Sequence, residues 1–112
     1  MNIITTKLEG VVVLEPRVFG DHRGFFMESY NERQLAELGF TYDFVQDNHS
    51  LSVEAGTLRG LHYQLHPMAQ TKLVRVLAGA IYDVVMDLRK DSPTFGKWQG
   101  FILSAHNKRQ LL

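Results

Sequence analysis

Cysteine is absent from the 112 residues, which removes disulfide scaffolds, thiolate metal sites and cysteine nucleophiles from consideration. Proline is scarce, with three residues, and there is no repeat, low-complexity tract or linker. Neither sign of charge dominates, since 12 Lys and Arg balance 12 Asp and Glu. Bulk binding to nucleic acid or to an anionic membrane needs a basic excess, so no nucleic acid and no membrane are expected as partners. A local cationic pocket is still compatible with that balance. Long apolar runs are also lacking: the amino terminus, Met1 to Lys7, has no signal-peptide core. No stretch approaches the roughly 20 apolar residues that span a bilayer. A cytoplasmic setting is the expectation.

Against these absences, an apolar content of 45% is enough for one modest core, and the length suits a single domain over 1–112. Short apolar runs alternate with turn signals. Val11 to Leu14 ends at Pro16, Phe25 to Tyr30 starts after Gly24, and Phe40 to Gln46 follows Gly39. Thr57 to Leu65 lies between Gly56 and Pro67, and Gly100 to Leu103 follows Trp98. Leu73 to Leu77 and Ile81 to Leu88 flank Ala78-Gly79-Ala80, which reads as a hairpin loop. Lys108 to Leu112 reads as the first half of a strand. Many short strands at this spacing predict an all-β sandwich or barrel. One helix is predicted over Glu32 to Leu38, capped by Asn31 and ended by Gly39.

The chemistry concentrates in Thr57-Leu-Arg-Gly-Leu-His-Tyr-Gln64 and Gln70-Thr-Lys-Leu-Val-Arg-Val76. These blocks set one histidine, His62, among the cations Arg59 and Lys72. A neutral imidazole removes a proton near neutral pH, and fixed cations hold a phosphate or a developing oxyanion. On paired strands His62, Gln64 and Lys72 alternate onto inward faces. Arg59 is three residues from His62, hence on the opposite face of an ideal strand. Either a bend near Gly60 re-aims it or it works at the barrel mouth. A lone histidine in a barrel is usually a satisfied core residue, and a lone strand lysine or arginine is usually solvated; the block around His62 favours function there, while the neighbours of Lys72 and Arg59 do not settle theirs.

Several blocks stand in a fixed order: Phe19-Gly-Asp-His-Arg-Gly-Phe-Phe-Met-Glu28, Phe44-Val-Gln-Asp-Asn-His-Ser50, Leu58-Arg-Gly-Leu-His-Tyr-Gln64, Lys72-Leu-Val-Arg-Val76, Asp83-Val-Val-Met-Asp-Leu-Arg89 and Asn107-Lys-Arg-Gln110. In this order the chain, from about Gly10 to its last residue, resembles the dTDP-4-dehydrorhamnose 3,5-epimerase family of nucleotide-sugar biosynthesis. The resemblance implies a cupin jelly-roll barrel (a double-stranded β-helix) and a homodimer; no cofactor is expected. It implies inversion of C3 and C5 of dTDP-4-dehydro-6-deoxy-D-glucose to give dTDP-4-dehydro-L-rhamnose.

By position His62 resembles the family's general base, and Arg59 and Lys72 its pocket cations. Gln46, Asp47 and Asn48 resemble nucleotide contacts. Arg23, Phe26 and Glu28 match a segment that serves the nucleotide site across the dimer. Family members continue past position 112, with a tyrosine proton donor, an aspartate paired with the base, a further histidine and closing strands. The chain is therefore expected to be a cupin-like domain incomplete at its carboxyl end. An open edge at Lys108 to Leu112 is expected, and with it a strand-swapped oligomer or an aggregation-prone monomer.

Read from the residues, Arg23 can offer a guanidinium to phosphate and Phe26 a ring to a base. One of Phe25 and Phe26 is expected to turn into the core, and the resemblance implies that Phe26 is the ligand contact. Glu28 reads equally as a structural partner for an arginine, and Gln46-Asp-Asn48 reads equally as turn chemistry. Lys72 suits oxyanion stabilisation. Gly56-x5-His62-x-Gln64 with Lys72-x6-Gly79 echoes a cupin metal motif. However, Gln replaces a second imidazole and Lys replaces a carboxylate, so a metal-free site is expected. Two other readings stay open: a non-catalytic dTDP-sugar-binding or dimerising module, and a related 4-keto nucleotide-sugar isomerase or mono-epimerase.

Overall fold

Short strands supply nearly all the regular structure in the computed structural model, which describes residues 1–112. Four form one sheet in the order β1-β2-β8-β5: β1 is Asn2–Thr5, β2 Val12–Glu15, β5 Val74–Arg75 and β8 Gln110–Leu111. β3 (Val18–Asp21) and β4 (Gly24–Met27) make a hairpin, and β6 (Ala80–Met86) and β7 (Trp98–Ser104) make a second two-stranded sheet. All pairings are antiparallel. The one helix, α1, is Glu32–Glu37. No helix is long and apolar enough to cross a membrane.

The helix forms where local chemistry dictates. The Asn31 side chain accepts from the Gln34 N–H at 3.0 Å, and Leu35 is the residue that α1 buries. Gly39, at φ +92°, closes the last turn through its N–H to the Ala36 carbonyl. The core lies between the four-stranded sheet and the β6–β7 pair. Val13, Phe101, Leu103 and Leu111 are its buried centre, with Val11, Val74, Val76 and Val85 packed around it. These residues come from β2, β5, β6, β7 and β8 and their margins, each presenting alternate side chains to the same space.

A polar clamp ties the two layers. Asp87, buried just past β6, accepts from Arg89 Nε at 3.0 Å and from Thr94 Oγ1 at 2.7 Å. Arg89 reaches the Glu9 carbonyl, and the Glu9 N–H donates to Thr94 Oγ1 at 3.0 Å. The Lys7 N–H donates to Gln99 Oε1 at 2.9 Å. The β1–β2 connection is thereby held on the β6–β7 sheet.

Four expectations need correction. Thr57 to Leu65 and Phe40 to Gln46 form no strand; between α1 and β5 the chain makes no ladder at all. Their alternation is real, but a strand needs a neighbour to take its backbone bonds, and no strand of this chain lies beside them. Leu58 is accordingly 89% exposed. Ala78-Gly79 is not a hairpin loop, because β5 pairs with β8 and β6 with β7. It is the point where the chain passes from one sheet to the other.

The carboxyl end is not an open edge either. β8 lies between β2 and β5, and Val12 and Leu112 exchange backbone bonds at 2.9 and 3.0 Å. The edge argument for strand exchange at Lys108 to Leu112 therefore fails. Finally, neither Phe25 nor Phe26 enters the core: they are 61% and 71% exposed, because the β3–β4 hairpin pairs with no strand of the main sheet.

Candidate functional site

The sequence candidates fall on three parts of the molecule. The first is the β3–β4 hairpin with its exit. Its turn is built by Asp21, which accepts from the Arg23 N–H at 2.8 Å and from the Arg23 side chain at 2.6 Å. That bond holds the exposed Asp21 carboxyl below its usual range and raises the guanidinium. Arg23 is thus a pre-aimed cation at a hairpin tip. Phe26 shares the hairpin and helps to line a cavity of about 340 Å³ with Phe25, Met27, Arg75 and Lys108. The Lys108 ammonium lies 4.5 Å from the Phe25 ring centroid. Glu28 accepts from Asn31 Nδ2 at 3.0 Å, so its partner is the helix cap and not an arginine.

The second part is the extended segment after α1. Tyr30 and Phe44 pack edge to face at 5.8 Å, and Tyr42 joins Phe44 at 6.2 Å. This aromatic cluster fixes the start of the segment to the chain just after Glu28. Beyond it Gln46 Nε2 donates to Asn48 Oδ1 at 3.0 Å, and Gln46, Asp47 and Asn48 are all exposed. Arg59 donates to Ser52 Oγ at 3.1 Å. Gly60 has φ +98°, so the bend that could re-aim Arg59 is present. A Cβ at position 60 would come within 3.1 Å of His62 Cδ2, so the missing side chain leaves the space that the imidazole occupies. His62 is exposed and lies outside any strand, not on the inward face of one.

The third part is the lead-in to β5. Lys72 is exposed and takes part in none of the four ion pairs. Its charge nevertheless acts on Asp83 of β6. Burial raises the Asp83 carboxyl above its usual range, and Lys72 opposes that shift. No hydrogen bond or ion pair joins His62 to Lys72 or to Arg59 in this arrangement. No three His, Asp or Glu side chains converge where they could hold a metal ion.

Two acids, Asp83 and Asp87, interrupt the apolar run from Ile81 to Leu88 at positions of the same alternation, and the sequence reading singled out neither.

With this geometry in view, comparison with known proteins is specific. The profile of the dTDP-4-dehydrorhamnose 3,5-epimerase family matches residues 5–112. The chain is 60% identical to the dTDP-4-dehydrorhamnose 3,5-epimerase of Shigella flexneri over 112 residues, covering 99% of this chain and 61% of that one. Among solved structures, it superposes on the Bacillus anthracis epimerase, determined with TDP and pyrophosphate, with a TM-score of 0.95. The identity there is 63%, over 99% of this chain and 63% of that one.

The Legionella pneumophila 3,5-epimerase, in complex with dTDP-4-keto-L-rhamnose, gives a TM-score of 0.91 at 53% identity, over 98% and 58% of the two chains. A 3'-monoepimerase from Streptomyces bikiniensis, in complex with dTDP-quinovose, gives 0.84 at 35% identity, over 95% and 54%. The all-β, cupin-type jelly-roll class predicted from strand spacing and resemblance is the class of these structures. The chain spans about three fifths of the length of the relatives it matches.

Proposed function

Because the chain belongs to the dTDP-4-dehydrorhamnose 3,5-epimerase family, we propose that it takes part in inverting C3 and C5 of dTDP-4-dehydro-6-deoxy-D-glucose, giving dTDP-4-dehydro-L-rhamnose. The observation that carries the reading is the 60% identity to the Shigella flexneri epimerase over 112 residues, 99% of this chain.

The chemistry follows from the residues. A C–H next to a ketone is weakly acidic because its enolate keeps the charge on oxygen. His62 Nε2 or Nδ1 takes the proton from the carbon beside the 4-keto group. Lys72 stabilises the oxyanion that forms. Return of a proton to the opposite face inverts the centre and restores the ketone. Arg23 and Arg59 bind the diphosphate, Phe26 stacks on the base, and Glu28, Gln46, Asp47 and Asn48 accept or donate to nucleoside and sugar. The site works without a metal. A cytoplasmic homodimer, in which the exposed hairpin carrying Arg23 and Phe26 serves the partner's pocket, belongs to the same reading.

A second reading, a dTDP-sugar-binding module without turnover, is favoured by one observation: His62 is exposed and no side chain of this chain orients its imidazole. Deuterium uptake from solvent at C3 and C5 of the 4-keto sugar, followed by NMR, separates the two. Uptake by the 112-residue chain that falls at least about a hundredfold in His62→Ala, with dTDP affinity retained, is the expected result. Binding of dTDP without uptake would leave the module reading in its place.

A further inference from the structure

Lys72 is given a demanding task by the proposed function, and its own side chain is poorly suited to it alone. An ammonium on a four-carbon stem is mobile, and an exposed one spends its time in water. Something must hold it over the pocket. The structure offers one group, and it follows from alternation.

Val74 and Val76 both pack against the core centred on Val13, Phe101, Leu103 and Leu111. With a period of two, Lys72 is the next residue outward on that same side. On β6, Val85 packs against the same core, and Asp83 is the next residue on its face. Asp83 sits directly across from Phe101 in the β6–β7 register, and Phe101 is only 8% exposed. The lead-in to β5 and the strand β6, which are not paired in any sheet, therefore bring a cation and a carboxylate toward the rim of one apolar cluster.

Asp83 is half-buried there and accepts no hydrogen bond from the chain. A half-buried, unbonded carboxylate beside apolar side chains is costly unless a cation answers it. Lys72 is the cation whose field reaches it. The other acid of this region, Asp87, is already satisfied by Arg89, Ser92 and Thr94, which shows what a purely structural carboxylate looks like in this fold.

We infer that Asp83 is a positioning residue for Lys72, a carboxylate on the inward face of β6 that restrains the ammonium at the mouth of the pocket where the oxyanion forms. The inference rests on the proposed reading for its catalytic meaning, but the pairing itself does not. Two measurements on the 112-residue chain keep them apart.

The first is the carboxyl-carbon NMR titration of Asp83 with and without Lys72→Met. Removal of the Lys72 charge should move the Asp83 midpoint to higher pH, and an unmoved midpoint overturns the pairing. The second is deuterium uptake into the 4-keto sugar. Asp83→Asn should slow it by about tenfold or more while dTDP affinity and far-ultraviolet circular dichroism stay as in the parent. Asp83→Glu, which keeps the charge, should recover part of the rate. Uptake in Asp83→Asn equal to that of the parent overturns the positioning role. Should the parent chain show no uptake, the proposed function has failed, and the titration alone decides whether Asp83 and Lys72 are coupled.

Discussion

Two regions of this chain obey different rules. Residues 1–37 and 74–112 hold every strand and the helix, and their Leu14, Leu103 and Gln110 have no side chain left in solvent. The segment between them carries Leu58, Leu61 and Leu65 largely exposed and makes no ladder. The radius of gyration, 15.1 Å, reflects that division, since about 13 Å suits a compact domain of this length. Gln46, Asp47, Asn48, Arg59, His62 and Lys72 all lie in the second region. The part of the molecule that holds the buried core and the part that carries most of the proposed site residues are thus separate.

The comparison is most directly broken at Leu103. Leu103→Ala opens a cavity in the fully buried centre and should lower unfolding free energy by about 2–5 kcal/mol, read from urea midpoints. An effect under 1 kcal/mol would mean that the first region is not the stability core.

Acid should come next, through Asp87. Hydrogen bonds from Arg89 first, then Ser92 and Thr94, hold its carboxyl far below the usual range. A carboxyl depressed in the fold contributes its full stability above the unfolded value of about 3.9, and that contribution is lost as pH falls below it. Asp83 runs the other way, because burial raises it, so its ionised form weighs against the fold at neutral pH. Urea midpoints between pH 3 and 7 should therefore show an acid limb that Asp87→Asn flattens. A limb unchanged in that variant would remove the clamp from the account.

Asn31→Ala removes the cap of α1 and should cost about 1 kcal/mol, with the loss confined to the helix and its Leu35 contact in amide exchange. Leu58→Ala, at an exposed position, should shift stability by less than about 0.5 kcal/mol. A cost for Leu58 that approaches that of Leu103 would erase the difference between the regions.

What local sequence settles was readable: the Asn31 cap and Gly39 stop of α1, and the apolar runs Ile81 to Leu88 and Gly100 to Leu103 that fall on β6 and β7. Side-chain chemistry was readable in the same way, because the block around His62 states which groups are present and in what order. Pairing was not. Leu73 to Leu77 and Lys108 to Leu112 read as strand segments and hold β5 and β8, but that β8 lies between β2 and β5 is not written in either run.

The segment Thr57 to Leu65 teaches the converse. Its alternation is as clear as that of β6, yet it forms no strand, because alternation decides which side chains share a face and a neighbouring backbone decides whether there is a sheet. The meeting of Lys72 with Asp83 is of the same kind. Sequence determined that a lysine and an aspartate each stand two residues before a core valine. Only the tertiary structure, by packing both valines against one apolar cluster, decided that the two charges stand near the same cluster.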